Sequence, residues 1–488
     1  MPPLLWISFI ISCLISQAYA LDSKASQKKG IAVDRPNVLF IIADDLADRL
    51  ACYGDPVAVT PQLDKLANQG VLFRNTYCQF HTCGPSRASL FSGRYPFETG
   101  YLSNTEGAYN EALPELTSLP RLFRDNGYRT VRVGKIFHMG IPREIGASGA
   151  DDATAWDVAV NNSGWDAQQK NWQKAMQWGK KNGPGVRIRY DAPDLPDEQF
   201  ADGQGLKEAI RLLKTHHPDE TGKPFFLAWG IYRPHPPMIV PKKHWDAIDA
   251  SRIKIPEVDK NDRDDIPKIN WHLPGPGYNF IPEEHARNYT HAYYAAIHFI
   301  DEMVGELVGA LKEEGLAENT IIVFTSDQGL MLGEHGHWHK SSMMKESHRV
   351  PLIILDPASE ERGKQVSGLV GLIDLYPTLC ELAGIEAKHD LSGVSLRPQL
   401  SDVTAKTKTH EFSVGAPNAY SIRSEAHHYT EWHDDDSKVV ARMLYDMKLD
   451  PGQFHNVVED PAYRGIRDEL GAQLAERLSG QPRTDRQP

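Results

Sequence analysis

The sequence predicts an α/β fold: a large, mostly parallel sheet sandwiched by helices, with a smaller C-terminal α+β subdomain carrying an antiparallel sheet. Three observations predict it. Continuous apolar runs such as Asn37-Val-Leu-Phe-Ile-Ile-Ala43 stop at turn residues, as strands buried on both faces do. These runs alternate with amphipathic helical stretches that return the chain to the sheet. From about residue 409 the rhythm changes to short strand-like segments in succession, closed by one helix.

In chain order, residues 4–20 form a short apolar stretch ending in Ala18-Tyr19-Ala20, with the small residues a signal peptidase requires. Residues 1–20 therefore read as a cleaved secretory signal, which places the mature chain outside the cytoplasm, secreted or periplasmic. An uncleaved anchor, or a lipoprotein cleaved before Cys13, is the alternative. No other segment approaches the ~20 apolar residues of a spanning helix. Residues 21–34 are polar and read as a flexible leader. A large domain is expected over 35–400 and the small subdomain over 401–488.

The first strand stops at Asp44-Asp45. Thr60 as N-cap, Pro61 at the first helical position, Leu63, Leu66 and Ala67 in period, and Gly70 at the stop define the next helix. Thr117–Asn126 reads as a helix closed by Gly127, then Tyr128–Val133 and Phe225–Trp229 as strands. A long helix from about His285 to Glu314 carries Ile297, Val304, Leu307 and Leu311 on one face, stops at Gly315, and leads into the strand Thr320–Thr325. The subdomain follows with strands Tyr420–Arg423, Tyr429–Trp432 and Met443–Met447 and a helix over Ile466–Leu478. Residues 141–222 and 246–284, rich in Pro, Gly, Asp and Trp, read as long insertions that shape a pocket.

A chain of 488 residues can bury the core of an enzyme. Its net charge of −12, without a Lys/Arg run, excludes a general nucleic-acid partner, because that affinity rests on a basic surface. An anionic substrate must then be met by a local pocket. With Cys13 in the signal, Cys52, Cys78, Cys83 and Cys380 are too few and too scattered for a disulfide framework. Cys52, Cys78 and Cys380 read as buried filler.

In parallel sheets, ligands gather outside the carboxyl ends of the strands. Asp44 and Asp45 follow one strand, Lys135 and His138 another, His235 a third and Asp327 a fourth. The run Cys83-Gly84-Pro85-Ser86-Arg87 opens a helix that Gly93 closes. Cys83 at that helix N-terminus is placed where an anion is welcome and where a thiol pKa is lowered. Asp44, Asp45 and the Asp327-Gln328 pair supply hard oxygen ligands suited to calcium or magnesium. Lys135, His138, His235 and Lys340, with His335, His337 and His339 nearby in sequence, supply cations and proton donors for an anionic ester. Any one of these alone reads equally as a cap, a turn or a solvated side chain.

Taken together the motifs resemble the sulfatase family. Cys83-Gly-Pro-Ser-Arg87 with Gly93-Arg94 matches its C-x-P-S-R signature, and the resemblance runs from about Arg35 to Val457. Ala51-Cys-Tyr-Gly-Asp55, Val133-Gly-Lys-Ile-Phe-His138, Arg233-Pro-His-Pro-Pro237, Leu332-Gly-Glu-His-Gly336 and Val350-Pro-Leu352 are similar to the iduronate-2-sulfatase group, as is Leu444-Tyr445-Asp446 to Asn456. The resemblance implies an alkaline-phosphatase-like fold, a sulfated carbohydrate substrate, and one calcium held by Asp44, Asp45, Asp327, Gln328 and residue 83.

It also implies that a maturation enzyme oxidises Cys83 to formylglycine. One hydroxyl of the hydrated aldehyde attacks sulfur, and the other later loses its proton to expel sulfate. Arg87 and Lys135 would hold the formylglycine and the sulfate, and His138 would assist the release. Lys340 and His235 would contact the sulfate and the bridging oxygen, with His235 as general acid. The family usually has Asn or His where this chain has Gln328, whose amide stands one methylene further out. A phosphonate or phosphate ester hydrolase of the same fold, and an inactive sulfated-glycan-binding homologue, are the competing readings.

Overall fold

Asn37–Asp44 (β1) is buried at every position, which only a strand covered on both faces can satisfy. The computed structural model describes residues 35–178, 188–271 and 281–479. The signal and leader expected over 1–34 lie outside the described residues, as do parts of both insertions. Around β1 are built β2 (Val71–Tyr77), β3 (Arg129–Gly134), β4 (Val158–Val160), β5 (Phe225–Pro234), β6 (Thr320–Ser326), β7 (Arg349–Val350), β8 (Leu352–Leu355) and β9 (Lys364–Gly371). The order is β7-β2-β8-β6-β1-β5-β3-β4, with β9 also paired to β2.

The centre of the sheet is parallel: β1 lies between β5 and β6, and β3 joins β5 to β4. The far side is mixed, because β8 runs antiparallel to both β6 and β2. Two successive reversals restore β2 to the direction of the central strands. Its carboxyl end at Tyr77 therefore lies on the same edge as theirs, and the helix bearing Cys83 starts shortly after it.

Side chains alternate along β1, so each face has its own core. Leu39, Ile41 and Ala43 pack with Leu63 and Leu66 of α1 (Pro61–Gln69), Leu206 and Leu212 of α4 (Ala201–Thr215) and Ile297 and Val304 of α6 (Glu283–Glu313). Val38, Phe40 and Ile42 pack with Leu90 and Phe91 of α2 (Cys83–Ser92), Leu122 and Phe123 of α3 (Leu119–Asp125) and Leu375 and Leu379 of α7 (Leu375–Ala383). The short α5 (Lys242–Asp246) lies against α6. Among the described residues no helix is long and apolar enough to cross a membrane.

The C-terminal part is an antiparallel meander of β10 (Glu411–Gly415), β11 (Ala419–Arg423), β12 (His427–His433) and β13 (Val439–Asp446). Leu470 and Leu474 of α8 (Arg464–Ser479) pack on Ile422, Tyr429 and Leu444. The meander is pinned to the large sheet where Val414 N–H donates to the Gln79 carbonyl at 2.8 Å, a few residues before Cys83. Cys52, Cys78, Cys83 and Cys380 are all unpaired, with Cys52 only half-buried.

The structure moves one helix cap and, at a second helix that starts where expected, changes what caps it. Ser118, not Thr117, caps α3 by accepting from Arg121 N–H at 3.4 Å. Thr60 precedes α1 but makes no capping bond: its hydroxyl donates to Asp64 at 3.1 Å and accepts from Ala51 N–H at 3.0 Å. The first turn of α1 is capped in trans by Asp301 of α6, which accepts from Gln62 and Leu63 N–H at 3.0 and 2.7 Å. Asp301→Ala should therefore cost ~1–3 kcal/mol, the penalty for stranding buried donors. Asp301→Asn, which keeps an acceptor oxygen, should cost less, with both losses read from urea denaturation midpoints.

Candidate active site

Asp44 ends β1, Lys135 follows β3, His235 follows β5 and Asp327 follows β6, so the parallel strands deliver all four to one edge. Two glycines bring the Lys135 segment close to β5. Gly134 has φ 70°, and a Cβ there would meet the Gly230 carbonyl oxygen at 2.1 Å. A Cβ on Gly230 would lie 1.9 Å from the Lys135 carbonyl oxygen. Only glycine fits at both positions.

Cys83 occupies the first position of α2, whose N-cap is Thr82 and whose C-cap is Gly93 at φ 66°. Gly84 N–H donates to Asn104 Oδ1 at 2.8 Å, tying this helix start to a following loop. Cys83 Sγ lies 3.4 Å from Asp44 Oδ1, 3.3 Å from Gln328 Nε2 and 3.1 Å from Lys340 Nζ. The sequence-predicted residues Cys83, Asp44, Gln328 and Lys340 are thus in direct contact.

Three buried carboxylates face three cations. Lys135 Nζ is 2.7 Å from Asp44 Oδ2, Lys340 Nζ is 2.5 Å from Asp45 Oδ1, and Arg87 Nε is 2.7 Å from Asp327 Oδ2. The remaining Arg87 nitrogens donate to the carbonyls of Lys135 at 2.6 Å, Ile136 at 3.0 Å and Ala43 at 3.3 Å. Arg87 is therefore a strut beneath the site, its donors committed to the scaffold. Asp44, Asp45 and Asp327 offer carboxylate oxygens close enough to share one cation.

Two oxygens there are buried without a hydrogen-bond partner, Asp45 Oδ2 and Gln328 Oε1. The Gln328 amide turns its Nε2 toward Asp45 Oδ1, so an N–H donor answers the carboxylate. Amide O and N exchange by a half-turn. That half-turn would set two oxygens facing each other, an arrangement that only a cation between them stabilises.

Electrostatics follow from burial among these charges. Burial pushes the Asp44 carboxyl up, but Lys135, His235, Arg87 and Lys340 together hold it well below the usual carboxylate range. Asp327 is pushed up to about 6 by burial and by Asp44, against Arg87. The lowered thiol pKa expected at a helix N-terminus is not found. Burial first, and Asp44 second, push Cys83 up to about 12, because desolvation in a pocket of carboxylates outweighs the helix dipole. His138 falls to about 3 through burial and Lys135, and its Nδ1 is buried without a partner. His235 is lowered by burial against the pull of Asp45, with its Nδ1 2.6 Å from the Pro236 carbonyl and its Nε2 3.8 Å from Asp45 Oδ2.

The three further histidines separate. His335 Nδ1 bonds Asp262 at 2.9 Å and its Nε2 the Gly452 carbonyl at 3.1 Å, a structural role. His337 Nε2 meets the Lys340 carbonyl at 3.1 Å and holds the turn that presents that lysine. His339 stands nearer the site: burial lowers it to about 4 despite the opposing charge of Asp45. Sequence reasoning missed the tyrosines of α6. Tyr293 hydroxyl donates to the Asp45 carbonyl at 3.0 Å and accepts from Ala47 N–H at 2.9 Å, and Tyr289 hydroxyl is 3.5 Å from His339 Nδ1. Their four-residue spacing on one helix face was the available signal.

Buried carboxylates and cations at the carboxyl edge of such a sheet define an ester hydrolase of the alkaline-phosphatase-like fold. The chain belongs to the sulfatase family, and is a sulfuric ester hydrolase: it matches the family described as Sulfatase over residues 36–385. Residues 333–480 match the family described as N-sulphoglucosamine sulphohydrolase, C-terminal. It is 30% identical to iduronate 2-sulfatase of Mus musculus, over 96% of this chain and 99% of that one. Its fold is that of a protein solved in complex with its substrate D-glucosamine-2-N,6-O-disulfate (TM-score 0.70, 23% identity, 93% of this chain and 100% of that one). The phosphonate monoester hydrolase of Agrobacterium radiobacter has the same fold (TM-score 0.73, 23% identity, 91% and 96%).

Lys135 and Asp44 are both wholly buried, so removing one partner strands the other's charge. In chelator, Lys135→Met should destabilise the protein by about 3–5 kcal/mol. Adding Asp44→Asn should return part of that loss, read as a coupling energy in a double-mutant cycle of denaturation midpoints.

Proposed function

We propose that the chain hydrolyses a sulfate monoester on a carbohydrate, in the manner of an iduronate 2-sulfatase, with formylglycine made from Cys83 supplying the nucleophile. The observation that carries this is the position of Cys83 Sγ, in contact at once with Asp44, Gln328 and Lys340. Relatives named for sugar sulfates support the substrate class. The maturation requires a formylglycine-generating enzyme in the host, and the expected signal would export the product.

The donor set fits a calcium ion. Asp44, Asp45 and Asp327 are hard oxygen donors, and the unpartnered oxygens of Asp45 and Gln328 provide the capacity it needs. When bound, the cation would acidify the nucleophilic hydroxyl and offset the charge of a sulfate oxygen.

The chain's own groups supply the rest. Lys340, which reaches Cys83 from a partly open position, would take a sulfate oxygen. His235, with Nδ1–H on the Pro236 carbonyl, would in its charged form, which Asp45 favours, give the Nε2 proton to the bridging sugar oxygen. His138, with its unpartnered Nδ1, would take the proton lost at position 83 as sulfate departs. Arg87 and Lys135 hold Asp327 and Asp44 in place and act as positioning residues.

Active enzyme should yield a residue-83 peptide at the aldehyde mass, and Cys83→Ala should release no sulfate from a panel of 2-O-, 4-O- and 6-O-sulfated sugars. An unmodified thiol in fully active enzyme would overturn the mechanism. The shared fold of a phosphonate monoester hydrolase favours a second reading. Higher kcat/KM on phosphate or phosphonate esters than on matched sulfates would establish it. Absence of turnover on every ester would leave a glycan-binding homologue.

Gln328→Ala removes one oxygen from the proposed cation set. It should weaken calcium binding by about 10–100-fold, with activity returning in excess calcium. Loss of activity that calcium does not restore would remove Gln328 from the ligand set.

A further inference from the structure

A second cluster of metal-type ligands lies away from the active site, where α5 crosses α6. His244 of α5 and His298 and Glu302 of α6 each offer a ligand atom close enough to share one ion. His244 Nδ1 and His298 Nδ1 face each other at 2.9 Å, and Glu302 Oε2 is 3.9 Å from His244 Nδ1. His298 and Glu302 are four residues apart on one helix, a spacing that puts both side chains on one face. The His244 ring is wholly buried and the His298 side chain is 11% exposed, so two imidazole nitrogens are held together out of water.

The outer contacts are those of a metal-binding histidine. His244 Nε2 is 3.1 Å from Asp197 Oδ1, which fixes the N–H on Nε2 and leaves the Nδ1 lone pair for a ligand. His298 Nδ1 then supplies the proton between the rings. It is the proton that must shift to Nε2 when an ion takes both Nδ1 lone pairs. Burial and the neighbouring His244 keep His298 below its usual pKa, which favours the neutral ring that can bind an ion.

Among the described residues, the acidic charges around the cluster have no wholly buried cation as partner. Asp197, Glu302 and the exposed Glu306 are acidic. The balancing group is the Lys243 ammonium, 2.7 Å from Asp197 Oδ2 and 2.9 Å from Glu302 Oε2, on a side chain that is 54% exposed. Such a lysine can swing into solvent when a better cation arrives.

The geometry points to a second, structural metal site of His244, His298 and Glu302, taking a borderline divalent ion of the zinc class rather than calcium. Two imidazoles and one carboxylate with one open vertex are a zinc-type set, whereas calcium takes six or more oxygens. Nitrogen ligands on tetrahedral zinc stand about 3.4 Å apart, so the rings need part by only a few tenths of an ångström. The ion would staple α5 to α6, the helix whose tyrosines hold the Asp45 loop.

The test uses the intact protein with its calcium retained, titrated with zinc chloride and followed by calorimetry, thermal shift and metal analysis. Wild type should bind one zinc more per chain than His298→Ala and should melt at a higher temperature with zinc. Glu302→Gln should weaken zinc binding by about 10–100-fold, and Lys243→Met should tighten it by removing the competing ammonium. Cobalt in place of zinc should give the strong visible bands of a tetrahedral site in wild type and not in His298→Ala. Sulfate release without zinc should be the same in all three variants, which also shows that they fold. Equal zinc content and equal melting response in wild type, His298→Ala and Glu302→Gln would overturn the proposal.

Discussion

The structure of the site depends on one buried guanidinium. Arg87 reaches from α2 to the Asp327 carboxylate at 2.7 Å and to carbonyls at the ends of β1 and just beyond β3. Those partners come from segments some 40 to 240 residues away in sequence. Without that charge, Asp327 would lose its nearest cation in a pocket it shares with Asp44, and burial would raise its carboxyl further. With it, both can keep oxygens turned toward the site while Cys83, on the same helix, is carried to the point where they converge.

Two further supports set the remaining groups, and both carry backbone strain. Asp45 adopts φ 66°, a left-handed conformation that Tyr293 of α6 fixes by bonding the carbonyl of Asp45 and the N–H of Ala47. The segment bearing Lys340 has positive φ at His335, His339 and Ser341, none of them glycine. Such angles cost roughly 1–3 kcal/mol each and persist only where surroundings over-determine them. Here the surroundings are His335 on Asp262, His337 on the Lys340 carbonyl, and the charge pair of Lys340 with Asp45. The strain accordingly concentrates where a lysine must cross toward a carboxylate instead of turning to solvent.

Much of this was legible because chemistry follows the apolar runs. A strand buried on both faces must end where its backbone meets water, and Asp44, Lys135, His235 and Asp327 stand at or just after such ends. The antiparallel side of the sheet was not legible: β2 carries Arg74 and Asn75 at half-buried positions, which breaks the apolar signature. The cap supplied by Asp301 is a contact between segments more than 200 residues apart, and the tyrosines behind Asp45 show a shared helix face in the sequence but not the distant loop they hold. The thiol pKa went the other way because the helix dipole is a local property, whereas burial and Asp44 belong to the assembled pocket. Arg87 was recognised by its motif, but its role as a strut appears only once its carbonyl partners are placed.

Gln328 shows how a departure from a family pattern can be absorbed. An amide differs from a carboxylate or imidazole in carrying a donor and an acceptor on interchangeable positions. The contact seen sets the amide donor toward Asp45 and leaves Oε1 unpartnered in a buried pocket. A stranded oxygen costs ~1–3 kcal/mol. The proposed cation would reverse the preference, because the oxygen would then gain a ligand bond that offsets the cost. If the proposed cation binds here, glutamine would couple its own orientation to that binding through its ability to present either atom.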